Sequence, residues 1–261
     1  MPSPMADKRL AATGEITPEE IERLLARPMR LVPTRMRCRA PRRRKRGILF
    51  EAKMVARPAA RCNPAELSPV SRQFPFNTCV ANAASRAVET LAMRVSGTRT
   101  RFDAEELHHC VQGRPLDEGV VDPGQALRSM EQTGFPTAGR YDPPNPCPVP
   151  KSGLARLGRW SRVRDEADAK SVISEGMPVL ALMTTNRDFM LVKDFRIWRD
   201  LPGALELVHA VLLVGYDDVG QCWELQNSFG TDWGVNGFGR LGYGESSLLA
   251  DNRHAAFAVR R

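Results

Sequence analysis

The 261-residue chain contains no run of eighteen or more apolar residues, so no membrane-spanning helix is expected. Its first twenty residues, "MPSPMADKRLAATGEITPEE", lack the apolar stretch of a secretory signal. The expected location is therefore the cytoplasm, or the exterior by a route that reads no such signal. The six cysteines (Cys38, Cys62, Cys79, Cys110, Cys147 and Cys222) include no CxxC pair. The chain also lacks the small size and visible secretion that accompany a disulfide framework, so mostly free thiols are expected. "HHC" at 108–110 has no second cluster at zinc spacing, and it reads as a helix end or loop. No internal repeat is present, and no metal or cofactor is expected.

Charge of one sign is scarce where the other abounds. Residues 27–61 hold thirteen Lys and Arg against one acid, Glu51, so this arm is +12 and the rest of a chain totalling +8 is about −4. Aromatic residues are missing from the Arg run except for Phe50 at its end, which argues against base stacking. An Arg-rich stretch can still bind phosphate, so contact with nucleic acid or an anionic membrane is open to this arm. Before it, "TPEEIERLLARP" predicts a helix over about 17–27, with Thr17 as cap, Pro18 in the first turn and Glu20 completing a capping box. After it, "ILFEAKMVARP" reads as a strand.

Hydrophobic residues make up 42% of the chain, enough for a packed core, and the pattern is globular from about residue 62. "CVANAASRAVETLAMR" repeats apolar residues at helical spacing. "DAEELHHCV" is a short helix with Asp103 as cap. "DPGQALRSMEQTGF" is another, capped by Asp122 and closed by Gly134, and "EADAKSVISEG" is a third, ending at Gly176. "YDPPNPCPVP" is a loop. The period then becomes strand-like in "PVLALMTT", "HAVLLVGYDD", "CWELQNSF" and the Gly-punctuated "NGFGRLGYG". Helices followed by strands predict an α+β fold of two packed subdomains.

One cysteine stands where chemistry favours a nucleophile. Asn77 or Thr78 can cap the first of these helices, which puts Cys79 in its first turn. Unpaired N–H groups and the helix dipole there favour a thiolate. Such a nucleophile needs a base, and the base needs a partner to orient it. Of four histidines, His209 opens a buried strand, and Asn227 ends the next one, eighteen residues on. A hairpin would set them side by side, and the Asn227 amide could fix the imidazole tautomer.

His209 and Asn227 lie 130 and 148 residues after Cys79, with Gln73 six residues before the thiol and "NSFGTDWG" around Asn227. In these features the sequence resembles the papain-like cysteine peptidases over about residues 62–259, and "NTCVANA" is similar to their bacterial branch. The Arg-over-Lys usage, 32 to 6, hints at a GC-rich bacterial genome. The resemblance implies a helical left subdomain, a β-barrel-like right subdomain and a substrate cleft between them. It further implies a Cys79–His209 ion pair, an oxyanion site from Gln73 and the Cys79 N–H, and Phe229 and Trp233 covering the His–Asn bond.

The sequence departs from the family at Val80, where many members have Trp, at Phe76, where secreted members have a bridging Cys, and at Val208. The family's glycine pair is reduced to Gly119. With Phe76 in place of that Cys, Cys110 has no obvious partner, which suits a reducing compartment. The expected function is a cysteine endopeptidase acting on peptides or proteins. The same acylation chemistry would serve a transamidase or isopeptidase, and a papain-fold binding module acting through its arm is a further alternative. Residues 1–61 are divided from a peptidase domain at 62–261 and read as a short propeptide, a tether or a tail.

Overall fold

The computed structural model describes residues 59–119, 122–139, 141–143, 145–148, 157–199, 207–249 and 255–260. The expected helix at 17–27, the strand that follows the basic stretch, and the propeptide, tether or tail readings lie outside the described residues.

Helix α1 (Cys79–Ser96) is buried over its first three turns, from Cys79 to Thr90. It starts one residue after the expected cap and ends at Gly97, whose φ of 69° stops the helix. Two charged side chains lie inside this burial because each has partners. Arg86 pairs with Glu89 at 2.6 Å. The Glu89 carboxylate also accepts from the Phe102 N–H at 2.6 Å and from the Ser68 hydroxyl. Burial nonetheless lowers Arg86 to about 10.

The short helix α2 (Ala104–Glu106) is capped by the Asp103 carboxylate as expected. It widens into a π-helical turn, Leu107–Val111, that carries "HHC". Helix α3 (Pro123–Gln132) starts at the Asp122 cap with its proline in the first turn. Helix α4 (Glu166–Ser174) takes Asp165 as cap, and α5 (Arg187–Met190) is a single turn capped by Asn186.

The sheet strands are β1 (Ala60–Arg61), β2 (Arg159–Val163), β3 (Val179–Thr185), β4 (Ile197–Trp198), β5 (Leu207–Asp217), β6 (Cys222–Gln226), β7 (Phe238–Gly242) and β8 (Ala256–Arg260). Their order is β2-β8-β3-β5-β6-β7-β4, with β1 added to β5. Pairing is antiparallel except between β4 and β7. The four expected strands are β3, β5, β6 and β7. Gly239, in the glycine-rich stretch, is required by close approach: a Cβ there would stand 2.6 Å from the Trp233 indole. Helix α1 packs on β5, β3 and β8 and on α3, so the sheet core and the helical half meet along the helix that carries Cys79.

The thiol expectation needs correction. Cys110 is joined to Cys147, with Cα atoms 5.5 Å apart and 37 residues of separation. Cys62, Cys79 and Cys222 are buried and form no disulfide. The family resemblance points to a partner for Cys110 only at position 76, whereas the partner sits in the proline-rich loop, where spacing carries no pairing signal. The inference of a reducing compartment from an unpaired Cys110 falls with it.

Candidate active site

The strand side of the site is built by β5 and β6. They pair from Leu212 opposite Gln226 onward, so β5 residues 207–211 have an edge that β6 leaves uncovered. Continued past its end, the register would set Phe229 opposite His209 and Asn227 opposite Val211. His209 and Asn227 are therefore diagonal neighbours rather than side by side. The diagonal is short enough to bridge: His209 Nε2 lies 2.7 Å from Asn227 Oδ1. The same oxygen accepts the Ser228 N–H at 2.7 Å. That N–H can only donate, so the atom facing it is the amide oxygen and His209 must donate from Nε2. The neutral ring then carries its lone pair on Nδ1.

The helix side presents Cys79, which is fully buried. The N–H of Ala210, next to His209, bears on the Cys79 sulfur together with the N–H groups of Val80 and Cys79 itself. The helix start and the uncovered edge of β5 thus meet at the thiol. Burial is the dominant influence on both titrating groups. It pushes Cys79 up to about 11 against those three N–H groups, and holds His209 down to about 4 against the raising effect of the Asn227 bond. Desolvation thus penalises the charged form of each group and opposes the expected ion pair, while the three N–H groups and the Asn227 bond favour it.

Gln73 reaches the same place along a short ladder. Arg72 bridges Phe229, the Gln73 N–H donates to the Ser228 carbonyl at 2.9 Å, and the Gly230 N–H to that of Ser71 at 3.0 Å. The Ser228 hydroxyl donates to Gln73 Oε1 at 2.6 Å, and Gln73 Nε2 donates to the Phe76 carbonyl at 3.2 Å. One of the two amide N–H groups is engaged there.

Of the two expected covering aromatics, Phe229 lies directly on His209, with ring centroids 4.5 Å apart. Trp233 packs behind, 5.0 Å from Phe189 and 6.4 Å from Phe229, with its indole N–H on the Phe189 carbonyl at 2.6 Å. Ser228 and Phe189 also build the site, and the sequence does not single them out. Ser228 was legible only as the residue after Asn227, and Phe189 carried no signal.

The "HHC" side chains are engaged elsewhere. His108 and His109 bond the carbonyls of Pro115 and Arg114 at 3.0 and 2.9 Å, and Cys110 is in the disulfide. No group of three metal-binding side chains occurs among the described residues. A cavity of about 650 Å³ lined by Arg61, Leu67, Val70, Phe195, Val235 and Phe238 holds none of the four candidates.

The profile described as "Papain family cysteine protease" matches residues 57–257. The chain belongs to the papain family. Among papain-family relatives, it is 24% identical to the "Cathepsin L-like proteinase" of Fasciola hepatica, over 67% of this chain and 56% of the relative. It is 22% identical to "Cysteine proteinase 2" of Entamoeba histolytica, over 66% and 59%. The chain thus spans little more than half the length of these relatives. The fold matches that of procathepsin L 3 from the larval midgut of Tenebrio molitor, with a TM-score of 0.65, 20% identity, and coverage of 80% of this chain and 72% of the other. The relatives are eukaryotic, so nothing in them marks the bacterial branch that "NTCVANA" had suggested.

Proposed function

We propose that the protein is a cysteine endopeptidase that cleaves peptide bonds through a thioester formed on Cys79. The observation that carries this reading is the 2.7 Å bond from His209 to Asn227, on the strand whose next N–H bears on the Cys79 sulfur.

The chemistry follows from the tautomer. With Nε2–H given to Asn227, Nδ1 is the base available to the thiol. As the sulfur attacks the substrate carbonyl carbon, its proton passes to Nδ1, and Asn227 supports the imidazolium that results. The carbonyl oxygen, now negative, takes hydrogen bonds from the Cys79 N–H and a side-chain N–H of Gln73, donors held in place before the reaction begins. His209 returns the proton to the leaving nitrogen as the C–N bond breaks. Water then attacks the thioester with His209 again as base, which releases the acid and restores the thiol. Substrates are peptides or proteins, and residues 62–261 form the domain that acts on them.

Replacing Cys79 with Ala is expected to lower kcat/KM on a fluorogenic peptide by on the order of 10⁴-fold or more. A thiol-directed epoxide should label Cys79 ahead of Cys62 and Cys222. Full cleavage by the Cys79→Ala protein would refute the proposal.

A further inference from the structure

We propose that Asn82 is a positioning residue for the oxyanion site, acting through the Thr78–Cys79 peptide plane. The inference rests on the peptidase reading above. Asn82 lies one turn into α1 and is 2% exposed; Thr78 is fully buried. Asn82 Nδ2 donates to the Thr78 carbonyl at 3.1 Å and to Thr78 Oγ1 at 3.0 Å. The Asn82 backbone N–H donates to the same carbonyl at 2.9 Å. A carbonyl can only accept, so the side-chain atom facing it is the nitrogen.

The consequence is geometric. The Thr78 carbonyl and the Cys79 N–H belong to one planar peptide unit. Two donors on the carbonyl fix the plane, and the N–H on its opposite edge must point one way. That N–H is one of the two proposed oxyanion donors. The torsion that would turn the plane is ψ of Thr78. Thr78 stands at φ −104° and ψ 28°, outside the helical basin and near the sparsely populated bridge region. An ordinary helix start places one backbone donor on this carbonyl and lets the cap side chain bond into the first turn. Here Thr78 makes no such cap bond, and its hydroxyl oxygen accepts from Asn82. The side chain of Asn82 thus replaces the ordinary cap with a clamp on the plane itself.

The test compares the full-length wild type with Asn82→Asp, which keeps the shape but has no N–H to donate when ionised, and with Asn82→Ala. Two rates separate positioning from general damage. Cleavage of a peptide amide builds an oxyanion, whereas alkylation of Cys79 by iodoacetamide displaces iodide and builds none. The expected result is a fall in kcat/KM of about 10- to 100-fold, with weaker binding of a peptide aldehyde and an alkylation rate within about threefold of wild type. Equal falls in cleavage and alkylation, no change in either, or failure of both variants to fold would overturn the proposal. Loss of the peptidase reading has a different signature: Cys79→Ala would then cleave as well as wild type. If Asn82 alone is misassigned, Cys79→Ala remains inactive.

Discussion

On the strand side of the site, the backbone ladder of β5 with β3 and β6 carries His209 to its place, and Asn227 follows directly on the last rung. On the helix side, Gln73, Thr78 and Cys79 sit where chain segments meet, and side chains hold them: Ser228 on Gln73, and Asn82 on Thr78. The strand wall is held by main-chain bonds that side-chain substitutions short of proline leave in place. The helix wall depends on hydroxyl and amide groups that a single substitution deletes. Changes in the strand wall should therefore alter chemistry with little loss of structure, whereas changes in the helical half should cost stability.

The largest expected effect tests the strand wall. Asn227→Ala frees His209 Nε2 and loses the tautomer that leaves Nδ1 as base. The variant should retain its fold and lose about 10²- to 10⁴-fold in kcat/KM, read with a peptide substrate alongside circular dichroism. A fall in melting temperature as severe as the loss of rate would contradict the strand wall's independence.

The next effect tests the helical half. Cys147→Ser opens the bridge that ties the π-helical turn to the 145–148 segment. Loss of such a bridge typically costs about 2–4 kcal/mol. Chemical denaturation should show this loss, with the His209–Asn227 chemistry intact in the protein that stays folded. An unchanged denaturation midpoint would mean that the bridge does not stabilise this half.

The smallest effect spans both walls. His209 is held to about 4 when folded, against an ordinary value near 6.5. The unfolded chain therefore takes up the proton first, and stability falls as pH drops from 6.5 toward 4, levelling off below. Between pH 6.5 and 5.5 the loss is about 1 kcal/mol. Cys79 mirrors this, with stability lost as pH rises from 9 toward 11. Buried His108, also lowered by desolvation, acts in the same direction as His209. The informative quantity is therefore the difference between wild type and His209→Gln, measured as thermal midpoint against pH. Parallel curves for the two proteins would remove His209 from the account.

The strand wall was also the more legible in sequence. Unbroken apolar runs marked β3 and β5, and alternation marked β6. β2 and β8 went unrecognised. In β2, "RWSRV", charged residues fall at sheet-edge positions and the apolar signal is thin; β8 is too short and Ala-rich to separate from a helix. Helix starts at Asp103 and Asp122 were readable because a carboxylate cap is a local device. The start at Cys79 was readable as a position, but the bonding of Thr78 was not, since it depends on an amide one turn later. The disulfide and the diagonal offset of His209 from Asn227 both arise from how distant segments fold together, and no local pattern encodes them.

The first strand of the body has a practical consequence. Ala60 and Arg61 lie opposite Tyr216 and Gly215, and the Cys62 N–H closes on the Val214 carbonyl at 2.7 Å. A cut placed just ahead of Ala59 severs none of these bonds. The central strand keeps this seam after such a cut.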